Sequence, residues 1–145
     1  MGMAVRMGVD RFKEQLRAKK EVLQRATRPA AQAGVQVIYE RARLLAPVSA
    51  DSHYFTIRGQ KYGPYAPGNL RDAVYQVYSK DKSYQDVSTY HVSFNLQKAP
   101  YGVMVHNGTS RTPADPFIVR AVMETRGEAR EAMKARYIEE VKKAS

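Results

Sequence analysis

The sequence contains no cysteine, which excludes disulfides, thiolate metal sites and a cysteine nucleophile. Its longest apolar runs are far shorter than the roughly 18 residues that a membrane-spanning helix needs. The first residues, 1–12, also lack the apolar core of a secretory signal peptide. We therefore expect a soluble protein that is made inside the cell and has no membrane partner.

Motifs for catalysis and for cofactors are missing as well. The chain has no G-x-x-x-x-G-K-[ST] phosphate loop, no G-x-G-x-x-G dinucleotide loop and no G-x-S-x-G nucleophile turn. Its histidines, His53, His91 and His106, form no H-x-x-x-H or H-E-x-x-H pair, which is the local spacing of zinc ligands. We expect no catalytic residue, no metal and no cofactor, and hence a binding protein rather than an enzyme.

The charge is strongly positive. The 145 residues carry 24 Lys and Arg against 14 Asp and Glu, a formal net charge of +10, and residues 1–48 hold ten of the basic and four of the acidic residues. A positive field attracts nucleic acid, anionic membrane or an acidic protein surface, but it also occurs on any solvated surface. The candidate nucleic-acid contacts are the basic residues of the first helix: Arg11, Lys13, Arg17, Lys19, Lys20 and Arg25.

The length fits one domain, residues 1–145, whose two ends have helical periodicity. Near the N-terminus the pattern predicts two helices, over residues 8–26 with Asp10 as N-cap and over residues 29–47, separated at Pro29. A long C-terminal helix is predicted from residue 115, with an aspartate as its N-cap and a proline in its first turn.

The middle of the chain mixes a loop with short elements. Residues 48–68 are rich in Gly, Pro and Ser, so they predict a long irregular loop. A short helix is expected at Asn69, and alternation of polar and apolar residues predicts two paired strands within residues 75–96. Another short helix is expected to end at Gly108. The predicted fold class is α+β: N-terminal helices and a long C-terminal helix packed on a small antiparallel sheet.

Tyrosine is concentrated in this middle part, because seven of the ten tyrosines lie between residues 54 and 90. Tyrosine is enriched at protein interfaces, it stacks on nucleic-acid bases, and it is an ordinary strand former. All three uses remain open from the residues alone. The candidate interface residues are the aromatic side chains of the loop: Tyr54, Phe55, Tyr62 and Tyr65.

An ordered set of short motifs runs through the chain: "LLAPVS", "PGNLRDAV" and "KAPYGVMVHNGTSRTPADPFIVRAV". The set resembles a family of tailed-phage and prophage neck or tail-completion proteins, minor tail proteins of long-tailed phages that act where the head meets the tail. The matching positions are Ala46, Pro47, Val48, Gly68, Leu70, Arg71, Pro100, Tyr101, Gly102, Gly108, Thr109, Pro113, Ala114, Pro116 and Phe117. The chain departs from the family at His106-Asn107, where an acidic-aromatic pair is common, and in its longer connection over residues 48–68.

The resemblance implies a structural virion protein that is made in the bacterial cytoplasm and located in the neck or tail. It would form a homo-oligomeric ring that meets a head-closure or connector ring on one side and the tail-terminator or tail-tube proteins on the other, with genome DNA as a further possible contact. The alternative function is a basic nucleic-acid-binding protein.

The end of the third motif has turn chemistry rather than a catalytic set. We expect it to fix the direction of the chain between the short helix and the long one, with a phenylalanine anchored in the core. The residues of this structural turn are Gly108, Pro113, Asp115, Pro116 and Phe117.

Overall fold

The first helix, α1, covers Gly2–Leu45 without interruption. The structure, a computed structural model, describes the backbone of residues 2–84 and 86–144 and the side chains of residues 10–84 and 86–144. The prediction of two N-terminal helices is therefore wrong, because Pro29 lies inside α1 and Asp10 does not begin a helix. The end of α1 before Pro47 agrees with the sequence.

Pro29 is tolerated because of what lies beside it. A proline in a helix interior removes one backbone hydrogen bond and costs about 3 kcal/mol. Ala26 and Ala30, on either side of Pro29, are both buried. Packing of this part of α1 against the rest of the protein thus outweighs the local preference for a break.

The long C-terminal helix, α4, covers Phe117–Lys143 and runs antiparallel to α1. It buries a stripe at four-residue spacing, made of Phe117, Ala121, Thr125 and Ala129. Most of these side chains are small, and Gly34 of α1 faces the end of the stripe. Small residues on both helices allow their backbones to come close together.

The region predicted as a loop, residues 48–68, contains a β-hairpin instead. Strand β1, His53–Ile57, pairs antiparallel with strand β2, Gln60–Tyr65. The two turn residues, Arg58 and Gly59, both have positive φ, of 53° and 79°, as a type I′ turn requires. The prediction of an irregular loop is wrong here.

The predicted strand pair and the two short helices are confirmed. Helix α2, Asn69–Ala73, leads into strand β3, Val74–Tyr78, which pairs antiparallel with strand β4, Tyr90–Phe94. Helix α3, Gly102–Asn107, then ends at Gly108, which has a φ of 80°.

The β3–β4 hairpin packs on α1 through polar and aromatic side chains. Gln76 of β3 donates a hydrogen bond to Gln36 of α1. The guanidinium carbon of Arg28 lies 3.8 Å from the ring centroid of Tyr78. These contacts fix the sheet against the middle of α1.

The described part of the chain is thus α+β, as predicted, although its strands form two separate two-stranded sheets rather than one. The core joins the C-terminal end of α1 to α2, α3 and the start of α4. Its buried members are Ala42, Ala46, Leu70, Ala73, Val74, Ala99, Tyr101, Phe117 and Ala121.

Candidate interaction surface

The β1–β2 hairpin carries a cluster of stacked aromatic rings. Phe55 stacks on Tyr62 at a centroid distance of 5.1 Å and on Tyr65 at 5.6 Å. Tyr65 in turn lies 4.9 Å from Tyr101, which precedes α3. Such ring pairs add stability beyond the area that they bury. The hairpin is therefore held to the core by its own aromatic side chains.

Tyr101 is the centre of this contact. It is only 6% exposed, and its hydroxyl accepts a hydrogen bond from Asn69 Nδ2 at 3.2 Å. His53 meets its ring edge-on at 4.7 Å. Burial raises the pKa of Tyr101 above its ordinary value, and the hydrogen bond from Asn69 offsets part of that rise.

A cleft of about 510 Å³ opens between the β1–β2 hairpin, the start of α2, helix α3 and the turn after α3. Apolar and polar side chains both line it. Phe55, Leu70 and Met104 supply apolar walls, while His53 and Asn69 supply hydrogen-bonding groups. A surface of this kind can hold an inserted side chain or a short segment of another chain.

The segments that carry the family resemblance meet at this cleft. Each of the three motifs contributes wall residues, although the motifs are spread over more than 60 residues of sequence. The contributed residues include Pro47 from the first, Gly68 and Leu70 from the second, and Tyr101 and Thr109 from the third. The fold thus gathers separate motifs at one place.

The turn after α3 is fixed by backbone hydrogen bonds. The Gly108 amide donates to the Met104 carbonyl at 2.8 Å, and the Asp115 amide donates to the Val105 carbonyl at 2.9 Å. A β-carbon on Gly108 would lie 2.7 Å from the Ala114 nitrogen, so only glycine fits there. These hydrogen bonds fix the direction of the chain between α3 and α4.

The start of α4 differs in one detail from the prediction. The N-cap is Pro116, with no side-chain cap, so the predicted capping role of Asp115 is wrong. The Asp115 carboxylate instead accepts a hydrogen bond from Arg120 at 2.8 Å. Phe117 is fully buried as expected, with its ring 5.5 Å from His106 and 5.9 Å from Phe94. Pro113 lies exposed in the turn.

The four candidate interface residues divide into two pairs. Phe55 and Tyr65 are half-buried and pack against the core. Tyr54 is 51% exposed and Tyr62 is 37% exposed, and the Lys61 ammonium lies 4.0 Å from the Tyr54 ring centroid. Of the four, Tyr54 and Tyr62 are therefore the more accessible to another molecule, although one face of Tyr62 stacks on Phe55.

The six candidate nucleic-acid contacts are all exposed, but they are not on one face of α1. At 3.6 residues per turn, Lys13, Arg17 and Lys20 share one face. Arg11 and Arg25 lie on another face, and the remaining lysine of the set lies between the two. Only three of the six can thus face one flat partner together.

A small charged group lies near the cleft, at α2. The Asp72 carboxylate accepts from Arg71 Nε and from Arg43, both at 3.2 Å. These hydrogen bonds and charges, with Arg71 first, hold the pKa of Asp72 below its ordinary value. All three side chains are well exposed, so these ion pairs contribute little to the stability of the fold.

Within residues 2–84 and 86–144, no group of three or more His, Asp or Glu side chains is placed to hold a metal ion. No helix in that part of the chain is both long and apolar enough to cross a bilayer.

Sequence reasoning singled out Tyr101 as a motif position but did not bring it together with His53. The two residues meet only because residues 53–65 form a hairpin that folds back onto the start of α3. The signal for that hairpin was Gly59, flanked by aromatic and β-branched residues.

Comparison of the chain with protein-family models, with curated proteins and with solved structures gives no significant match.

Proposed function

We propose that this chain is a structural virion protein of a long-tailed phage or prophage, which completes the neck or the tail by binding other proteins. Several copies form a ring at the head–tail junction. One side of the ring meets the head-closure or connector ring, and the other meets the tail-terminator or tail-tube proteins. The resemblance described above is the source of this proposal.

One structural observation supports it most directly. The motifs that carry the resemblance line a single cleft, next to a hairpin that exposes Tyr54 and Tyr62. Gly68, Leu70 and Tyr101 form the buried floor of this cleft, and Pro47 and Thr109 lie exposed at its rim. A recognition surface for another protein accounts for both the cleft and the exposed tyrosines.

A closed ring needs two different surfaces on each copy, because the same head-to-tail contact repeats around it. Among the described residues, each hairpin carries one exposed apolar surface. The first is Tyr54 and Tyr62 on the β1–β2 hairpin, and the second is Tyr75 and Val77 on the face of β3 turned away from α1. Both hairpins therefore belong to the proposed contacts.

The test is deletion of the gene from the phage or prophage that carries it, followed by electron microscopy of the particles. We expect separate heads and tails, which the wild-type gene restores to joined particles. The double variant Tyr54→Ala/Tyr62→Ala should fail to restore joining. Met123→Ala, which truncates an exposed side chain on α4, should restore it fully.

Normal joining without the gene would refute the virion role. Full restoration by the double variant would refute the role of the hairpin. Phe55 and Tyr65 are kept in these variants because both support the fold.

The alternative, nucleic-acid binding, is supported by the three cations that share one face of α1, Lys13, Arg17 and Lys20. Its measurement is the affinity for duplex DNA across a range of salt concentrations. Useful affinity near physiological salt with a steep salt dependence would favour it.

A further inference from the structure

Helix α1 continues past the end of α4. Val141 in the last turn of α4 and Ala144 just after it line a cleft whose other wall includes Ala18, Val22 and Leu23 of α1. Residues 2–20, which we call the projecting segment, therefore lie at or beyond that last turn and span about 28 Å of helix. Every side chain from Asp10 to Lys20 is exposed.

The projecting segment has an apolar seam. Phe12 is 59% exposed and Leu16 is 52% exposed, and with Leu23 they follow spacings of four and seven residues, which place them on one face. The same face continues to the buried Ala26 and Ala30. The seam is thus an outward continuation of a face that α1 buries inside the molecule.

The seam is narrow, and this limits what can cover it. Polar side chains fill most of the positions around Phe12 and Leu16, and Lys19 lies within the seam itself. A stripe of this width is typical of pairing with one other helix. A helix that lies in a membrane surface needs a broader apolar face.

The charges beside the seam have a definite arrangement. Lys13, Arg17 and Lys20 lie along one flank of it. The acidic residues of this stretch, Asp10, Glu14 and Glu21, repeat with the same four- and seven-residue spacing but lie on the opposite side of the helix. The carboxylates border the far side of Arg17, so a partner seated on the seam would meet Lys13 and Lys20 before any carboxylate.

We propose that the projecting segment binds an amphipathic helix of another protein, whose apolar face covers the seam and whose Asp or Glu side chains lie beside Lys13, Arg17 and Lys20. Burial of Phe12 and Leu16 supplies most of the affinity. The charge pairs are exposed and individually weak, so they select the partner and its orientation.

The arrangement of apolar and charged side chains argues against two other partners, a second copy of this segment and duplex DNA. A second copy of this segment would bring a like-charged flank to the seam, while its carboxylates would remain on its far side. Duplex DNA would engage the cations but leave Phe12 and Leu16 in water. A helix whose apolar face is flanked by Asp or Glu would bury Phe12 and Leu16 and would also pair with the cations beside them.

The test uses the full chain and two designed helical peptides of four heptads, with leucine in the seam and either glutamate or lysine at all flanking positions. We expect the glutamate peptide to bind at least tenfold more tightly by fluorescence anisotropy at physiological salt. Phe12→Asp/Leu16→Asp should abolish binding. Lys13→Glu/Arg17→Glu/Lys20→Glu should reverse the preference.

A matched control changes the same number of charges on the exposed side of α4, as Arg126→Glu/Arg130→Glu/Lys134→Glu. It should keep the preference for the glutamate peptide. Circular dichroism should report the same helix content for every variant, since all the changed side chains are exposed.

Equal binding of both peptides, or binding of neither, would overturn the proposal. A dimer that Phe12→Asp/Leu16→Asp converts to a monomer would assign the seam to a second copy instead. Binding to duplex DNA or to anionic vesicles that this variant leaves intact, without peptide binding, would assign the segment to those partners. The inference does not rest on the virion role, which is tested at the hairpin.

Discussion

Gly34 of α1 lies directly against Met133 of α4, so closely that a β-carbon at position 34 would fit only if the Met133 side chain shifted. A β-carbon at position 34 would approach Met133 Sδ at 2.8 Å and the Ala129 carbonyl oxygen at 3.3 Å. We expect Gly34→Leu to lower the free energy of unfolding by about 1–3 kcal/mol, because overpacking forces the helices apart. Chemical denaturation measures this change.

The matched control is Gly127→Ala in α4, where an added β-carbon meets nothing within 4 Å. Here the better helix propensity of alanine should raise the free energy of unfolding by up to about 1 kcal/mol. If Gly34→Leu were as stable as the wild type, the two helices would be farther apart than described.

Pro29 offers a stabilising substitution. Because α1 passes through this position as a helix, Pro29→Ala restores a backbone donor and removes the clash of the ring with the preceding turn. We expect the free energy of unfolding to rise, by at most about 3 kcal/mol. A fall in stability on thermal or chemical denaturation would mean that the chain breaks at this proline, as the sequence had suggested.

Gly108 should tolerate no side chain. Its φ of 80° is strained for any other residue, and an added β-carbon would also meet the Ala114 backbone. Gly59 has nearly the same φ, 79°, but open space around it. We expect Gly59→Ala to cost about 1 kcal/mol and Gly108→Ala to cost clearly more. Equal losses in a denaturation series would show that the contact with Ala114 contributes nothing.

Tyr101 should make the fold sensitive to alkali. Because its folded pKa is raised above the ordinary value near 10, its contribution to stability is fully present below pH 10 and is lost as pH rises through the folded pKa. Tyr101→Phe removes the hydroxyl that accepts the hydrogen bond from Asn69, so it should lower the free energy of unfolding at neutral pH. Because phenylalanine cannot ionise, the free energy of unfolding of this variant should fall less steeply above pH 10. Unfolding curves measured from pH 8 to 11 check this; parallel declines would contradict it.

Helix and strand patterns with strong periodicity were predictable from the sequence. The β3–β4 hairpin, α2, α3 and α4 all appear where local patterns placed them. The two errors in placing helices and strands, at Pro29 and in residues 48–68, have one cause, which is that tertiary contacts outweigh local preference. Pro29 predicts a break, but buried neighbours keep α1 continuous. Most side chains of β1 and β2, on either side of Gly59, are exposed. The two strands form because Phe55 and Tyr65 pack on the core.

The candidate surface was predictable only in part. Sequence identified its aromatic residues and its glycine and proline bends. It did not separate Tyr54 and Tyr62, which are exposed, from Phe55 and Tyr65, which support the fold, because that distinction depends on where Tyr101 lies. Helical periodicity places Phe12 and Leu16 on the same stripe as the buried Ala26, but it does not show that both lie exposed in the projecting segment.

The unbroken run of α1 through 44 residues also affects how the protein should behave in solution. Such a rod is about 66 Å long. A compact chain of this size has a radius of gyration of roughly 15 Å, so its overall diameter is much smaller than the length of the rod. Friction on the rod should make a single 16.4 kDa copy elute early from a sizing column, as a larger globular protein would. Light scattering or sedimentation equilibrium, which measure mass independently of shape, should therefore be used to count subunits.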